Sequence, residues 1–235
     1  MTPNLLTMIN RSVGDDLVMA VARRLGESDA ATRLAIDGLV PVLIGCMAQR
    51  AASIDGAKSL LRIISSVTVD TKILETPGKL LAEDTGALER LITMGPGILG
   101  TLLDTQATQL AGAVASISGL SVSSASWLSA FMASLVCAIV AKEARKLNAN
   151  GLQSLMMGQR APLQGALDRR ILMALGVKSL NSYLAEVNGG NGGSHSSRLP
   201  ETASTQSASG STLSNAWLIG GALFIAALVA WTLSI

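Results

Sequence analysis

Aromatic side chains are nearly missing from this chain. Phenylalanine, tryptophan and tyrosine together make up 3% of its 235 residues. Tyr183 is the only tyrosine, and Phe131 is the only phenylalanine before the last twenty residues. A core without rings must be built from small aliphatic groups, which suits closely packed helices better than a sheet. Charge is scarce too, at 14%, below the ~25% of ordinary soluble domains. The formal net charge is only +2, and no basic stripe is interleaved with aromatics. Both facts argue against nucleic acid as a partner. Arg23-Arg24 and Arg169-Arg170 read as isolated pairs on solvated helix faces.

Catalytic material is equally thin. His195, the only histidine, sits in a Gly/Ser-rich tract with no fixed co-ligands, so no metal site is expected there. Cys46 and Cys137 lie in apolar helical context without CxxC spacing and read as small buried hydrophobes. Sequence alone leaves a disulfide between them open as the alternative. Asp15-Asp16 and Glu83-Asp84 are adjacent pairs. Helix neighbours point about 100° apart, so neither pair converges as an acid–base site. No Lys-Ser/Thr follows Gly95-Pro96-Gly97 and no strand precedes it, which rules it out as a phosphate loop. The chain is expected not to be an enzyme and to need no cofactor or metal.

What the sequence does have begins at its end. Ala216 to Ile235 is twenty residues without a charge, enough to span a hydrocarbon core of about 30 Å as a helix. Trp217 and Trp231 stand near its two ends, with Phe224 between them, as membrane-interface anchors would. Residues 188–215 read as a flexible Gly/Ser/Thr linker that buries too little to fold. That linker contains Leu199-Pro200-Glu201-Thr202, the LPxT pattern of sorting signals. Charges at Arg11, Asp15, Asp16, Arg23 and Arg24 interrupt any exporting apolar run near the start, and nothing basic follows the apolar segment. The simpler expectation is a C-terminal tail anchor with the body on the cytoplasmic side.

Residues 1–187 read as one all-α domain, with helical periodicity throughout: Leu17, Val21 and Leu25, then Leu110, Val114 and Ile117. The domain repeats itself, about 5–66 against 98–160. At an offset of 93, Leu6 meets Leu99, Leu17 meets Leu110, Gly26 meets Gly119 and Ser28 meets Ser121. The offset slides to 94 where Leu34 meets Leu128, and to 95 where Asp55 faces Asn150. Gly26 and Gly119 suit left-handed helix ends, Ser28 and Ser121 suit N-caps, and Asp55 and Asn150 are expected to cap the next helix. Two four-helix-type modules follow from this punctuation. Pro41 is expected to kink or split its helix, and Gly95-Pro96-Gly97 to break the chain before the second module. The uncharged stretch 121–141 is expected to be a buried central helix, with Trp127 and Phe131 in its packing.

Residues 26–61 and 118–159 together resemble the YidB-like bacterial proteins. The likeness rests on an N-capped helix with a proline in its apolar run, then a glycine-containing cap before a "SLL" helix. It implies a helical bacterial domain with no known catalytic residues. Some relatives continue into an OmpA-like module; this sequence stops after the apolar segment, and its second module has Ser134-Leu135 in place of the proline.

The function expected from these features is a membrane-anchored, non-catalytic helical interaction or scaffold protein at the bacterial inner membrane. Its partners would be the bilayer, through the C-terminal helix, and itself or another protein. One alternative is a membrane-inserting or pore-forming protein, through 121–141. The second is an exported, wall-linked surface protein.

Overall fold

The computed structural model describes residues 3–67, 85–103 and 106–175, all within the first of two compact units, Met1–Gly192. The expected linker and the expected anchor with Trp217, Phe224 and Trp231 lie outside the described residues. Ten α-helices and no strands make up the described part.

Local chemistry sets each boundary in the first half. Helix α1 (Leu5–Ser12) starts where the Asn4 side chain accepts from the Thr7 backbone. Helix α2 (Asp15–Leu25) has Asp15 and Asp16 in its first turn and Arg23 and Arg24 in its last, so both ends complement the helix dipole. It stops at Gly26, φ 68°, where Glu27 N–H reaches back to the Ala22 carbonyl at 3.0 Å. Only glycine holds that left-handed conformation cheaply. Helix α3 (Asp29–Arg50) begins at Ser28, whose Oγ accepts from Ala31 N–H at 3.1 Å.

Helix α3 is continuous through Pro41, so the expected split does not occur. The proline lacks only the N–H that would bond the Asp37 carbonyl. Asp37 lies on the exposed side, where water can serve that oxygen. Residues 39–48 are buried on every side, and packing on both sides of the proline holds the helix together.

Helix α4 (Ile54–Ser66) is capped by Ser53, whose Oγ accepts from Gly56 N–H at 3.0 Å. This corrects the expectation for Asp55, which lies in the first turn and pairs with Lys58 at 2.9 Å. Asp55 instead puts negative charge at the positive end of the dipole.

Helix α5 (Thr85–Leu103) runs unbroken through Gly95-Pro96-Gly97, against the expected break. A Cβ at Gly95 would overlap the Ala130 backbone. This glycine lets two helices touch rather than ending one. The second helix is α7 (Val122–Ala144); its Ser134 hydroxyl donates to the Leu91 carbonyl at 2.7 Å.

Between them, α6 (Ala107–Ser118) ends at Gly119, φ 80°, and Ser121 Oγ caps α7 by accepting from Ser124 N–H at 3.1 Å. Helix α8 (Ala149–Met157) is capped by Asn148, which accepts from Gly151 N–H at 2.9 Å. Asn150 therefore sits inside the helix rather than capping it. In both cases a polar residue two positions earlier reaches the free N–H groups first. Two short helices follow, α9 (Arg160–Gln164) and α10 (Arg169–Ala174).

The core is centred on α3 and α7, which pack on one another. Helices α1 and α2 lie against α3, and α5 and α6 against α7; α4 meets α8. The burial pattern recurs along the chain. Leu17, Val18, Val21 and Ala22 of α2 are buried, and so are Leu110, Ala111, Val114 and Ala115 of α6, each 93 positions later. Leu5 and Ile9 correspond in the same way to Ile98 and Leu102. Ala57, Leu60 and Ile64 correspond, 95 positions on, to Leu152, Leu155 and Gln159, all buried.

Candidate interaction surfaces

The described residues hold no cluster of three or more His, Cys, Asp or Glu side chains able to bind a metal. Cys46 and Cys137 are both buried and carry no disulfide. Burial pushes the Cys137 thiol up to about 12, so it is not a thiolate at neutral pH and is a poor nucleophile.

The polar groups that are organised serve to join distant parts of the chain. Gln159 is buried and ties three segments. Its Oε1 accepts from Leu5 N–H at 2.8 Å, and its Nε2 donates to the carbonyls of Pro3 (2.9 Å) and Leu155 (3.0 Å). A residue of the second half thus satisfies an otherwise orphaned donor at the start of α1. Gln153 does similar work, donating to the Ala52 carbonyl at 2.7 Å. Arg50 donates to the Thr101 carbonyl.

A second junction brings the end of α2 to the start of α7. Glu27 Oε1 accepts from Ser121 N–H at 3.1 Å. Hydrogen bonding from the Ser124 side chain, then from the Ser121 backbone, holds the Glu27 carboxyl below its usual range. Three residues earlier, Arg24 places its guanidinium 5.6 Å from the Trp127 ring centre. Trp127 stacks on Phe131, with centroids 5.3 Å apart and planes 15° from parallel. Phe131 is fully buried and Trp127 partly so. The aromatic pair is therefore packing capped by a cation.

Of the residues singled out by sequence, Gly26, Ser28, Gly119 and Ser121 sit at the helix ends just described, and Ser121 joins the Glu27 junction. Asp55 and Asn150 are first-turn residues. Sequence reasoning missed Ser53 and Asn148, although each stands three residues before a glycine whose N–H it binds. It also missed Gln159 and Glu27, whose partners lie 154 and 94 positions away. No local pattern signals such bonds.

Helices α3 and α7 are also long and apolar enough to cross a membrane by length and composition. In this fold most of each is buried in the domain, as core helices are.

The model for a bacterial protein family of unknown function, DUF937, matches residues 7–143. The chain belongs to the DUF937 family. The match runs from α1 nearly to the end of α7, across the Gly26–Ser28 and Gly119–Ser121 helix ends and both core helices. No curated protein and no solved structure matches the chain.

Proposed function

We propose that this DUF937 protein is a membrane-tethered, non-catalytic helical interaction module, built from two copies of one helical unit. The observation that carries the tether is the uncharged run Ala216 to Ile235, with Trp217 and Trp231 near its ends and Phe224 between. Twenty such residues match the thickness of a bilayer core, and 28 residues of flexible linker would let the body range about 30 Å from its anchor.

The duplication is supported by boundaries as well as by sequence. Caps at Ser28 and Ser121, and left-handed glycines at Gly26 and Gly119, recur at 93; caps at Ser53 and Asn148 recur at 95. The helix contacts are reciprocal too. Helix α4 touches α7 while α8 touches α3, and α1 touches α7 while α5 touches α3. Exchange of this kind is what a two-fold relation between like units produces. The likeness to YidB-like proteins fits the same reading.

Fractionation of cells expressing the full chain and a version ending at residue 215 tests the tether. The full chain is expected in the membrane fraction and resistant to alkaline extraction, and the shortened chain in the soluble fraction.

A second reading, insertion of the core helices into a membrane, is favoured by one feature. Residues 122–141 of α7 carry no charge. Leakage of liposome contents caused by the shortened chain would favour that reading; an inert, soluble body would remove it.

A further inference from the structure

Gly38 sits in the middle of α3, where glycine weakens a helix relative to alanine. It leaves a hollow, and α10 fills it. A Cβ on Gly38 would stand 2.9 Å from Ile171 Cδ1, so the α10 side chain takes the room that a larger residue at 38 would need. The repeat shows what normally fills that room. Helices α3 and α7 run unbroken from caps 93 positions apart, Ser28 and Ser121. The offset therefore stays at 93 along them and does not slide to 94 as expected. Leu34, Gly38 and Pro41 then match Trp127, Phe131 and Ser134. On α7 this stripe is closed within the second half: Trp127 stacks on fully buried Phe131, and Ser134 donates to the Leu91 carbonyl of α5. On α3 it is not. Helix α1 starts at Leu5, the match of Ile98, so it has no counterpart of α5 residues 85–97. Leu34 is left 46% exposed, and Ile171 supplies from α10 the bulk that Gly38 lacks.

The hold of α10 on the body is slight. The helix has six residues, too few to stay helical alone. It follows the five-residue α9 by way of Gly165, Ala166 and Leu167. It packs on α3 and α6, with Ile171, Leu172 and Leu175 buried and Met173 63% exposed. Gln106 Nε2 of the segment before α6 donates to the Leu175 carbonyl at 2.8 Å. Helix α10 also lies beyond residues 7–143, the part that the family model matches. In chain order it links the body to residues 176–235.

We infer that α10 is a strap with Ile171 as its plug: it closes on α3 the hollow that Phe131 closes on α7, and it opens as a unit while the body stays folded. The match to Phe131 rests on the proposed duplication; the strap itself does not. Opening gives up three buried side chains and one hydrogen bond, far less than unfolding the core, so it belongs to the low-energy end of local openings. The open state uncovers Gly38 one helical turn from Leu34, which is already exposed. Because α10 is the covalent link to residues 176–235, whatever those residues bind bears on the strap before it bears on the core helices.

Limited trypsin digestion of the full chain, read by mass spectrometry for cuts after Arg169 or Arg170, tests this. Both arginines are exposed, but they lie in α10, and a protease needs the strap open. The cutting rate then follows the open fraction. Ile171→Ser removes the plug and is expected to speed those cuts at least about tenfold. Met173→Ser, on the exposed side of the same helix, should cut at the parent rate. Gly38→Phe fills the hollow as α7 does and should behave like Ile171→Ser. Helix content of Ile171→Ser by circular dichroism should fall by no more than the few residues of α10. Unchanged cutting in Ile171→Ser, equal acceleration in Met173→Ser, or loss of helix across the body in Ile171→Ser would overturn the strap. Fast cutting in Ile171→Ser with parent-rate cutting in Gly38→Phe keeps the strap and rejects the match between the halves.

Discussion

At the scale of single residues, most of the polar groups described above act as fasteners. Thr32 is an exception: it is fully buried, and its Oγ1 has no hydrogen-bond partner. An unsatisfied buried hydroxyl costs about 1–3 kcal/mol. Thr32→Val keeps the shape and removes the group, so it is expected to raise the melting temperature; a clear fall would show that the hydroxyl is satisfied in solution. Glu27 gives a pH signature. Its carboxyl is held below its usual range by the Ser124 side chain first and the Ser121 backbone second. A depressed folded value means stability that is present above the unfolded pKa and lost as pH falls through the folded one. Glu27→Gln should therefore be less stable than the parent near neutrality. The gap should close as the solution is acidified below the usual carboxylate range. A gap that stays constant with pH would contradict the junction.

At the scale of helices, caps and close contacts decide where elements start and how near they come. Ser53, not Asp55, holds the start of α4. Ser53→Ala should cost about 1 kcal/mol of unfolding free energy. Asp55→Ala should cost a few tenths, its dipole contribution. Equal losses would contradict this capping.

Those positions also show how much was legible beforehand. Helical periodicity, the left-handed glycines at Gly26 and Gly119 and the serine caps after them followed from local rules. The other two caps lie two residues before the positions that local rules favour, because Asp55 and Asn150 are good capping types and sequence does not show which side chain reaches the N–H groups first. Pro41 reads as a kink or split and Gly95-Pro96-Gly97 as a break, because proline and glycine usually punctuate. Here tertiary packing overrides them: buried neighbours keep α3 continuous through Pro41, and Gly95 lets α5 rest on Ala130. Gln159 and Glu27 were invisible, since their partners are brought close only by the fold.

At the scale of the whole molecule, two span-length apolar helices occupy the middle of the body, and a third apolar stretch of similar length stands at residues 216–235. The first two are sheathed by amphipathic helices such as α1, α2 and α4, whose buried residues fall on one face. On this reading the tail meets the bilayer while the core helices stay inside the protein. The most direct measurement is flotation of cell membranes carrying the full chain beside the chain ending at residue 215. The full chain should float and the shortened chain should not. A shortened chain that floats as well would mean that α3 and α7, not the tail, hold the membrane; a full chain left at the bottom would mean that nothing does.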